Sequence, residues 1–299
     1  MGCNSCENSL KYKDGIHPGC NNNGACGNML DVHDWLANVY FEDDELVNQH
    51  VEIQFKSTRK EFFENPKQLD LENGELVVVE TDTGYDMGTV TMKGELARLQ
   101  MKKKGIKEDQ ELPKIIRKPG ENDLETYKEA KQRELPMMFD TRRFAKDLGL
   151  VMKVSDVEVQ ADNRKATFYY TADGRVDYRE LIKILGREFK VKVEMKQIGL
   201  RQEAGRIGGI GDCGRELCCS TWLTEFNAVP TVAAKYQNLF LNPLKLSGQC
   251  GRLKCCLNYE LETYLEALED FPEEETILET QKGSAKIFKI DILKRMLWF

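Results

Sequence analysis

The chain has 299 residues, 41% of them hydrophobic and 31% charged, which suits a soluble globular protein built as one large domain or a few small ones. Its formal net charge of −7 excludes a whole-surface nucleic-acid binder and leaves room only for a local basic patch. No apolar run approaches the roughly 18 residues that a membrane-spanning helix requires, so no span is predicted.

The N-terminus lacks a basic region followed by an apolar core, so no signal peptide is read. Cys6 stands where the myristoylation pattern wants Ser or Thr. A cytoplasmic location is therefore expected. In that reducing compartment the ten cysteines are metal ligands or redox thiols in preference to structural disulfides.

Residues 1–30 are rich in Cys, Gly and Asn and too poor in apolar residues to form a core. Cys3, Cys6, Cys20 and Cys26, with His17 among them, read as a possible second metal site, in which metal binding would supply the folding free energy. The alternative is a tail with spare thiols. A thioredoxin-type reading of Cys3-x-x-Cys6 fails because no βαβ unit surrounds it. His33 and His50 have no cysteine nearby and are given no role.

From about 50 to 110 the pattern is β. Val51 to Phe55 alternates as a half-buried strand. Leu76 to Val79 and Gly88 to Met92 pair across the turn Asp82-Thr83-Gly84, and Asn73-Gly74 marks another turn. These short strands predict a small barrel-like part. Lys102-Lys103-Lys104 reads as a solvated loop, with a phosphate contact as the alternative.

Residues 121–149 read as a helix, broken or kinked at Leu135-Pro136 and stopped at Gly149. A strand over Val154 to Val159, the turn Asp162-Asn163-Arg164 and a strand over Ala166 to Tyr170 follow. Asp177 and Glu180 form an Asp-led capping box for a helix carrying Leu181, Ile182, Ile184, Leu185 and Phe189. Val191, Val193 and Met195 then alternate as a strand. Residues 121–200 are thus an α-β-β-α-β unit, and the fold class is α+β. Lys190, Lys192, Lys196, Arg201 and Arg206 bias its exit basic, diluted by Glu194 and Glu203. An exposed charged face fits this better than an RNA site, so any RNA contact is expected to be indirect or weak.

The most informative stretch, residues 205–272, holds one short phrase written twice. Gly211-Asp212-Cys213-Gly214-Arg215-Glu216-Leu217-Cys218-Cys219 recurs as Gly248-Gln249-Cys250-Gly251-Arg252-Leu253-Lys254-Cys255-Cys256, with every cysteine displaced by 37 residues. Gly209, Gly211 and Gly214 satisfy G-x-G-x-x-G, but the third glycine falls between ligand-type cysteines, so a dinucleotide site is rejected. The glycines instead give backbone room where the chain wraps a bulky group. Thiolates at such spacings suit an iron–sulfur cluster or zinc. Cys213, Cys218, Cys250 and Cys255 would satisfy zinc and leave Cys219 and Cys256 over, whereas a multi-iron cluster can use more thiolates. Gly214 and Gly251 allow the turn, and Arg215 and Arg252 would offset thiolate charge.

Each copy is expected to open into a helix. The first would carry Trp222, Leu223 and Phe226, and the second a stripe of Leu261, Tyr264, Leu265 and Leu268. Pro230 and Pro243 bracket another short helix around Thr231 to Leu239. No Lys or Arg occurs from Cys255 to Gln281, where acidic residues accumulate as a solvated surface or a docking face for a basic partner. Residues 282–299 read as a strand-like segment. Its end at Leu297-Trp298-Phe299 implies burial or a chain that continues.

Residues 208–219 and 250–257 resemble the polymerase-suppressor (PSP-type) C-terminal domain family, and the likeness extends over about residues 50 to 272. The resemblance implies a non-catalytic regulatory subunit carrying iron–sulfur clusters of the [4Fe–4S] type. It further implies small partner subunits, assistance to an RNase Y-type endonuclease in RNA processing, and effects on development and biofilm formation. Cys213, Cys218, Cys219, Cys250, Cys255 and Cys256 take the cluster role under that likeness. The cysteines of residues 1–30 depart from the family pattern. No Ser-His-Asp or Cys-His constellation, P-loop or HExxH motif occurs, so no catalytic residue is expected. The alternatives are a structural zinc protein that binds nucleic acid directly and a thiol-redox protein.

Overall fold

A computed structural model describes residues 49–107, 110–240, 242–272, 276–281 and 283–299. The N-terminal Cys3, Cys6, His17, Cys20, Cys26 and His33 lie outside these described residues. The chain divides into two units, one reaching Gly209 and including Ser220–Trp222, the other made of Ile210–Cys219 and Leu223–Phe299.

The first unit begins with β1 (His50–Gln54), β2 (Lys60–Glu64), β3 (Leu76–Thr81), β4 (Gly84–Lys93) and β5 (Ile115–Arg117). They form an antiparallel sheet in the order β2-β1-β4-β3-β5, curled as a half-barrel. The inward residues follow the period of two: Val51, Ile53 and Phe55 meet Phe63, Val77, Val79, Val90 and Ile115 in one core. The predicted turn at Asp82-Thr83 is a two-residue hairpin loop, with Thr81 opposite Gly84. Gly88 is needed where strands pass closely, since a Cβ there would lie 2.4 Å from Ile53 Cγ2.

Two expectations for this part are corrected. The β pattern does not run to 110, because Gly94–Lys103 is a helix, α1, that buries Leu96, Ala97 and Met101. Strict alternation ends at Met92, and apolar side chains beyond it recur at helical spacing. β1 is also buried on both faces. Glu52 is fully buried, and its carboxylate is held by Lys60 at 3.2 Å, Lys104 at 2.9 Å and the Thr91 hydroxyl at 2.9 Å. Lys104 of the lysine run is therefore a structural ion-pair partner.

The α-β-β-α-β unit is present as α2 (Glu121–Asp147), β6 (Lys153–Val159), β7 (Lys165–Thr171), α3 (Arg179–Phe189) and β8 (Lys192–Gln197). β6 and β7 pair antiparallel, and β7 and β8 pair parallel. Ala130, Glu134, Met137, Thr141 and Ala145 repeat along the buried face of α2. α2 runs unbroken through Pro136, so of the break or kink expected there the break does not occur. Leu135 and Pro136 sit on the exposed face, where water can take the carbonyl the missing N–H leaves free. Gly149 ends α2 with φ +64°: its N–H donates to Lys146 O and that of Leu150 to Ala145 O, both at 3.0 Å. The predicted capping box of α3 does not form. The Asp177 carboxylate accepts instead from the Arg179 N–H and guanidinium, and this exposed pair holds its pKa down to about 2.

Buried charges link the half-barrel to this layer. Lys56 reaches Glu134 at 2.8 Å and Asp156 at 2.5 Å, and Arg59 reaches Asp86 at 2.9 Å and Glu158 at 2.8 Å. Arg206, near the end of α4 (Leu200–Ile207), binds Asp156 at 2.8 Å and stacks 3.7 Å from the Tyr169 ring centre. Arg206 is thus buried, not part of an exposed basic face.

The second unit holds α5 from Cys218 (Cys218–Thr221, its last two residues counted with the first unit), α6 (Val232–Tyr236), α7 (Pro243–Leu246), α8 (Cys255–Tyr259) and α9 (Leu261–Glu269). Two small hairpins follow, β9 (Ile277–Thr280) with β10 (Gly283–Lys286) and β11 (Lys289–Asp291) with β12 (Met296–Trp298). Its core is small: Ala233, Ala234, Leu246 and Leu257, with Val229, Leu253 and Leu261 against them. The helix expected around Trp222, Leu223 and Phe226 stops at Thr221: the apolar spacing continues, but Trp222 and Phe226 are exposed and bury no stripe. The stripe on α9 is helical as expected, but no residue of that helix is buried.

Candidate metal centre: two clasped cysteine knuckles

The sequence repeat is a structural repeat at the level of single hydrogen bonds. In the first copy the Gly211 N–H donates to Arg215 O at 2.8 Å, and the Gly214 N–H donates to Gly211 O at 2.9 Å. In the second, Gly248 N–H donates to Arg252 O and Gly251 N–H to Gly248 O, both at 2.9 Å. Bridges Ile210–Glu216 and Ser247–Leu253 close the two turns at equivalent positions. Each turn lifts one cysteine, Cys213 or Cys250, and then runs into a short helix opening on a cysteine pair, Cys218-Cys219 or Cys255-Cys256.

Glycine is required at one place in each knuckle. Gly214 and Gly251 take φ of +78° and +71°, a left-handed conformation that side chains resist. A Cβ on Gly211 would lie 3.4 Å from Cys213 Sγ, and one on Gly248 would lie 3.8 Å from Cys250 Sγ. Both are ordinary contact distances, so a small side chain fits at either position.

The knuckles also hold each other. Lys254 Nζ lies 3.0 Å from Asp212 Oδ2, and the Gln249 side-chain amide donates to Ile210 O. Neither contact was foreseen from the sequence. The only signal was negative: these are positions where the two copies differ. Arg215 and Arg252 are exposed, and their backbone carbonyls close the turns. The cation that favours a thiolate is Lys254, acting on Cys256.

The six thiols are graded in exposure: Cys213 is exposed, Cys219 buried, and Cys218, Cys250, Cys255 and Cys256 lie between. Burial raises the Cys218 thiol, with Cys255 and Cys213 adding to it. Burial also pushes Cys219 up to about 11, helped by Cys255 and Cys250. Cys256 is raised by burial and then by Cys218 and Glu260. Thiols of both copies therefore lie within electrostatic reach of one another, and each disfavours ionisation of the next. Among the described residues no three Cys, His, Asp or Glu side chains form a set that could hold one metal ion. The donors are nonetheless of one soft kind, suited to zinc or iron–sulfur and not to hard cations, and cationic charge would relieve their mutual repulsion. In that sense the residues present fit such a group. His50 belongs to β1 in the first unit.

An α-β-β-α-β layer followed by paired cysteine knuckles defines a class. The PSP1 C-terminal conserved region matches residues 113–198, and the third domain of PSP1-like proteins matches residues 228–271. The second cysteine trio falls inside the latter match, and the first lies between the two. The chain belongs to the PSP1 family. It is 42% identical over 247 residues to the stage 0 sporulation protein YaaT of Bacillus subtilis, covering 82% of this chain and 87% of that protein. It is also 25% identical over 166 residues to an uncharacterized protein of Schizosaccharomyces pombe, covering 48% of this chain and 22% of that protein. No solved structure matches. Among the described residues no helix is long and apolar enough to cross a membrane.

Proposed function

We propose that this protein is a non-catalytic regulatory adaptor of the cytoplasm, similar to RicT-type subunits, whose clasped knuckles hold an iron–sulfur cluster of the [4Fe–4S] type. The observation that carries the proposal is the pairing of two equivalent knuckles whose thiols lie within electrostatic reach across the copies. Cys213, Cys218, Cys219, Cys250, Cys255 and Cys256 would hold the group. A bound cluster would supply a soft, oxidation-sensitive link between the two copies. Gly214 and Gly251 allow the turns, Lys254 offsets the charge of the sulfurs, and the Asp212–Lys254 pair keeps the copies together. Six thiols exceed the four that one such cluster uses, so the remainder can complete a site with partner subunits.

The partners in this reading are small subunits of an RNA-processing complex built around an RNase Y-type endonuclease, with RNA contacted indirectly. The relative's name refers to sporulation, and we extend a developmental role, including biofilm formation, to this chain on that likeness.

Anaerobic purification with metal and acid-labile sulfide analysis tests the cofactor. The expected result is a brown protein absorbing near about 400 nm, with iron and sulfide in equal amounts. A Cys213→Ser/Cys250→Ser double variant should lose both. A colourless protein with stoichiometric zinc would replace the cluster by zinc, and a metal-free protein turning over disulfides would favour the thiol-redox reading. Repeating the analysis without residues 1–30 reports whether Cys3, Cys6, Cys20 and Cys26 supply ligands. Affinity purification from cells, followed by mapping of transcript ends after deletion, tests the RNA-processing role. Unaltered transcripts would refute it.

A further inference from the structure

Residues 255–281 contain nine carboxylates and no Lys or Arg. Without them the chain has 43 basic and 41 acidic residues, so this one segment accounts for the whole negative balance. Its centre is α9. That helix buries no residue, although Leu261, Tyr264, Leu265 and Leu268 lie along one face. Leu261 alone of these touches the small core, Leu265 is 38% exposed, and the adjoining Tyr259 is 61% exposed.

The charges on α9 are placed against its own stability. Glu262 and Glu266 are four residues apart, as are Glu266 and Asp270, and like charges at that spacing repel. Glu269 and Asp270 stand at the C-terminal end, where the helix dipole favours cations, and the last turn has no basic residue. Among the described residues the compensation for this row is Arg295, 3.7 Å from Asp270, with both side chains largely exposed. Leu261, Tyr264 and Leu268 are half-buried and Leu265 is exposed, so an amphipathic helix with a half-covered apolar stripe and self-repelling carboxylates is arranged for an external cationic groove.

We propose that α9 is the docking helix for a protein, distinct from this chain, that presents an apolar groove rimmed by lysine and arginine. Leu265 and Tyr264 enter the groove, while Glu262, Glu266 and Glu269 meet its rim. The rest of this chain is close to charge-balanced, so a second copy offers no comparable basic excess. The proposal is independent of what the cysteines hold.

The test places a photo-reactive phenylalanine analogue at Leu265 of the full chain in its own cells and sequences the cross-linked peptides. The expected result is peptides of another protein with net positive charge, their yield falling about tenfold or more when Glu262, Glu266 and Glu269 are all replaced by Lys. The melting temperature of a Glu266→Lys variant should hold or rise, since the change removes repulsion. Cross-links to this chain itself, to nucleic acid or to an uncharged or acidic surface would overturn the proposal, as would yield indifferent to charge reversal or no cross-link at all. A fall in melting temperature with Glu266→Lys would overturn it too, by showing that the carboxylates serve the fold.

Discussion

Replacing Glu158 by Gln probes the buried charges that link the half-barrel to the α-β-β-α-β layer. The carboxylate of Glu158 lies 2.8 Å from Arg59 and 3.4 Å from Arg206, and it accepts the Tyr169 hydroxyl at 3.0 Å. Removing one partner of a buried pair costs about 3–5 kcal/mol. Gln keeps an acceptor oxygen, and Asp86 and Asp156 still neutralise Arg59 and Arg206, so the loss should lie at the lower end, about 3 kcal/mol or roughly 150-fold in the opened population. Burial alone would raise the Glu158 carboxyl, but Arg59, then Lys131 and Arg206, outweigh it and hold it below its ordinary value of 4.5. A folded-state pKa below the unfolded one gives stability that is present above 4.5 and lost as pH falls through the folded value. Asp86, raised by burial, has the opposite sign and is raised further by the Glu158 charge, so the substitution relaxes part of its shift and lessens the loss at neutral pH. Hydrogen exchange of the β6 and β7 amides reads the opening of this unit alone. The expected result is the full difference at neutral pH, shrinking once pH drops below 4.5. A difference under about 0.5 kcal/mol, typical of surface changes, or one that ignores pH, would refute the reasoning.

The same substitution should act in opposite directions at two glycines. Gly251→Ala forces a side chain into φ +71° with no neighbour within 4 Å, so only backbone strain enters, about 1–2 kcal/mol of destabilisation read as faster exchange in the second knuckle. Gly186→Ala, in helical backbone on α3 with equally open space, should stabilise the first unit by about 0.4–1 kcal/mol in denaturant unfolding. Gly88→Ala must displace Ile53 and the Gln54 carbonyl, 2.4 Å and 2.9 Å from the new Cβ, and should destabilise the half-barrel by about 1–3 kcal/mol or more in the same measurement. Pro136→Ala restores an N–H on the exposed face of an unbroken α2 and should stabilise the first unit by about 1–3 kcal/mol; a loss would show that the proline ring itself packs.

Much of the first unit was legible because its signals are local. Val51, Ile53 and Phe55 alternate, Asp82-Thr83-Gly84 can only turn, and Gly149 stops a helix whose buried face repeats from Ala130 to Ala145. What failed was set by tertiary surroundings. Pro136 is tolerated because its side of α2 meets solvent, and the stripe on α9 is only half covered among the described residues. Glu52 and Arg206 read as solvated charges, yet both are buried, because their partners Lys104 and Asp156 lie about 50 residues away in sequence. The cysteine repeat announced itself by spacing, and Gly214 and Gly251 followed from turn chemistry. No periodicity in the sequence records that the two turns meet.

The way they meet explains why the copies are not identical. The residues shared between them, the glycines, the first cysteine, the arginine and the cysteine pair, build each knuckle by itself, through bonds that recur at the same offset. The contacts that join the knuckles use positions where the copies have diverged. Asp212 corresponds to Gln249, and Lys254 corresponds to Leu217. Two perfect copies of the first phrase would face Asp with Leu, and two of the second would face Gln with Lys, so neither could make the 3.0 Å Asp212–Lys254 pair. An exposed ion pair of this kind contributes only about 0–1 kcal/mol to stability, but it fixes which side of one turn faces the other. Repetition thus supplies two equivalent thiol cradles, and divergence orients them. The same asymmetry leaves Cys219 buried while its counterpart Cys256 stays half-exposed beside Lys254, so the two cysteine pairs differ in access although their backbones match.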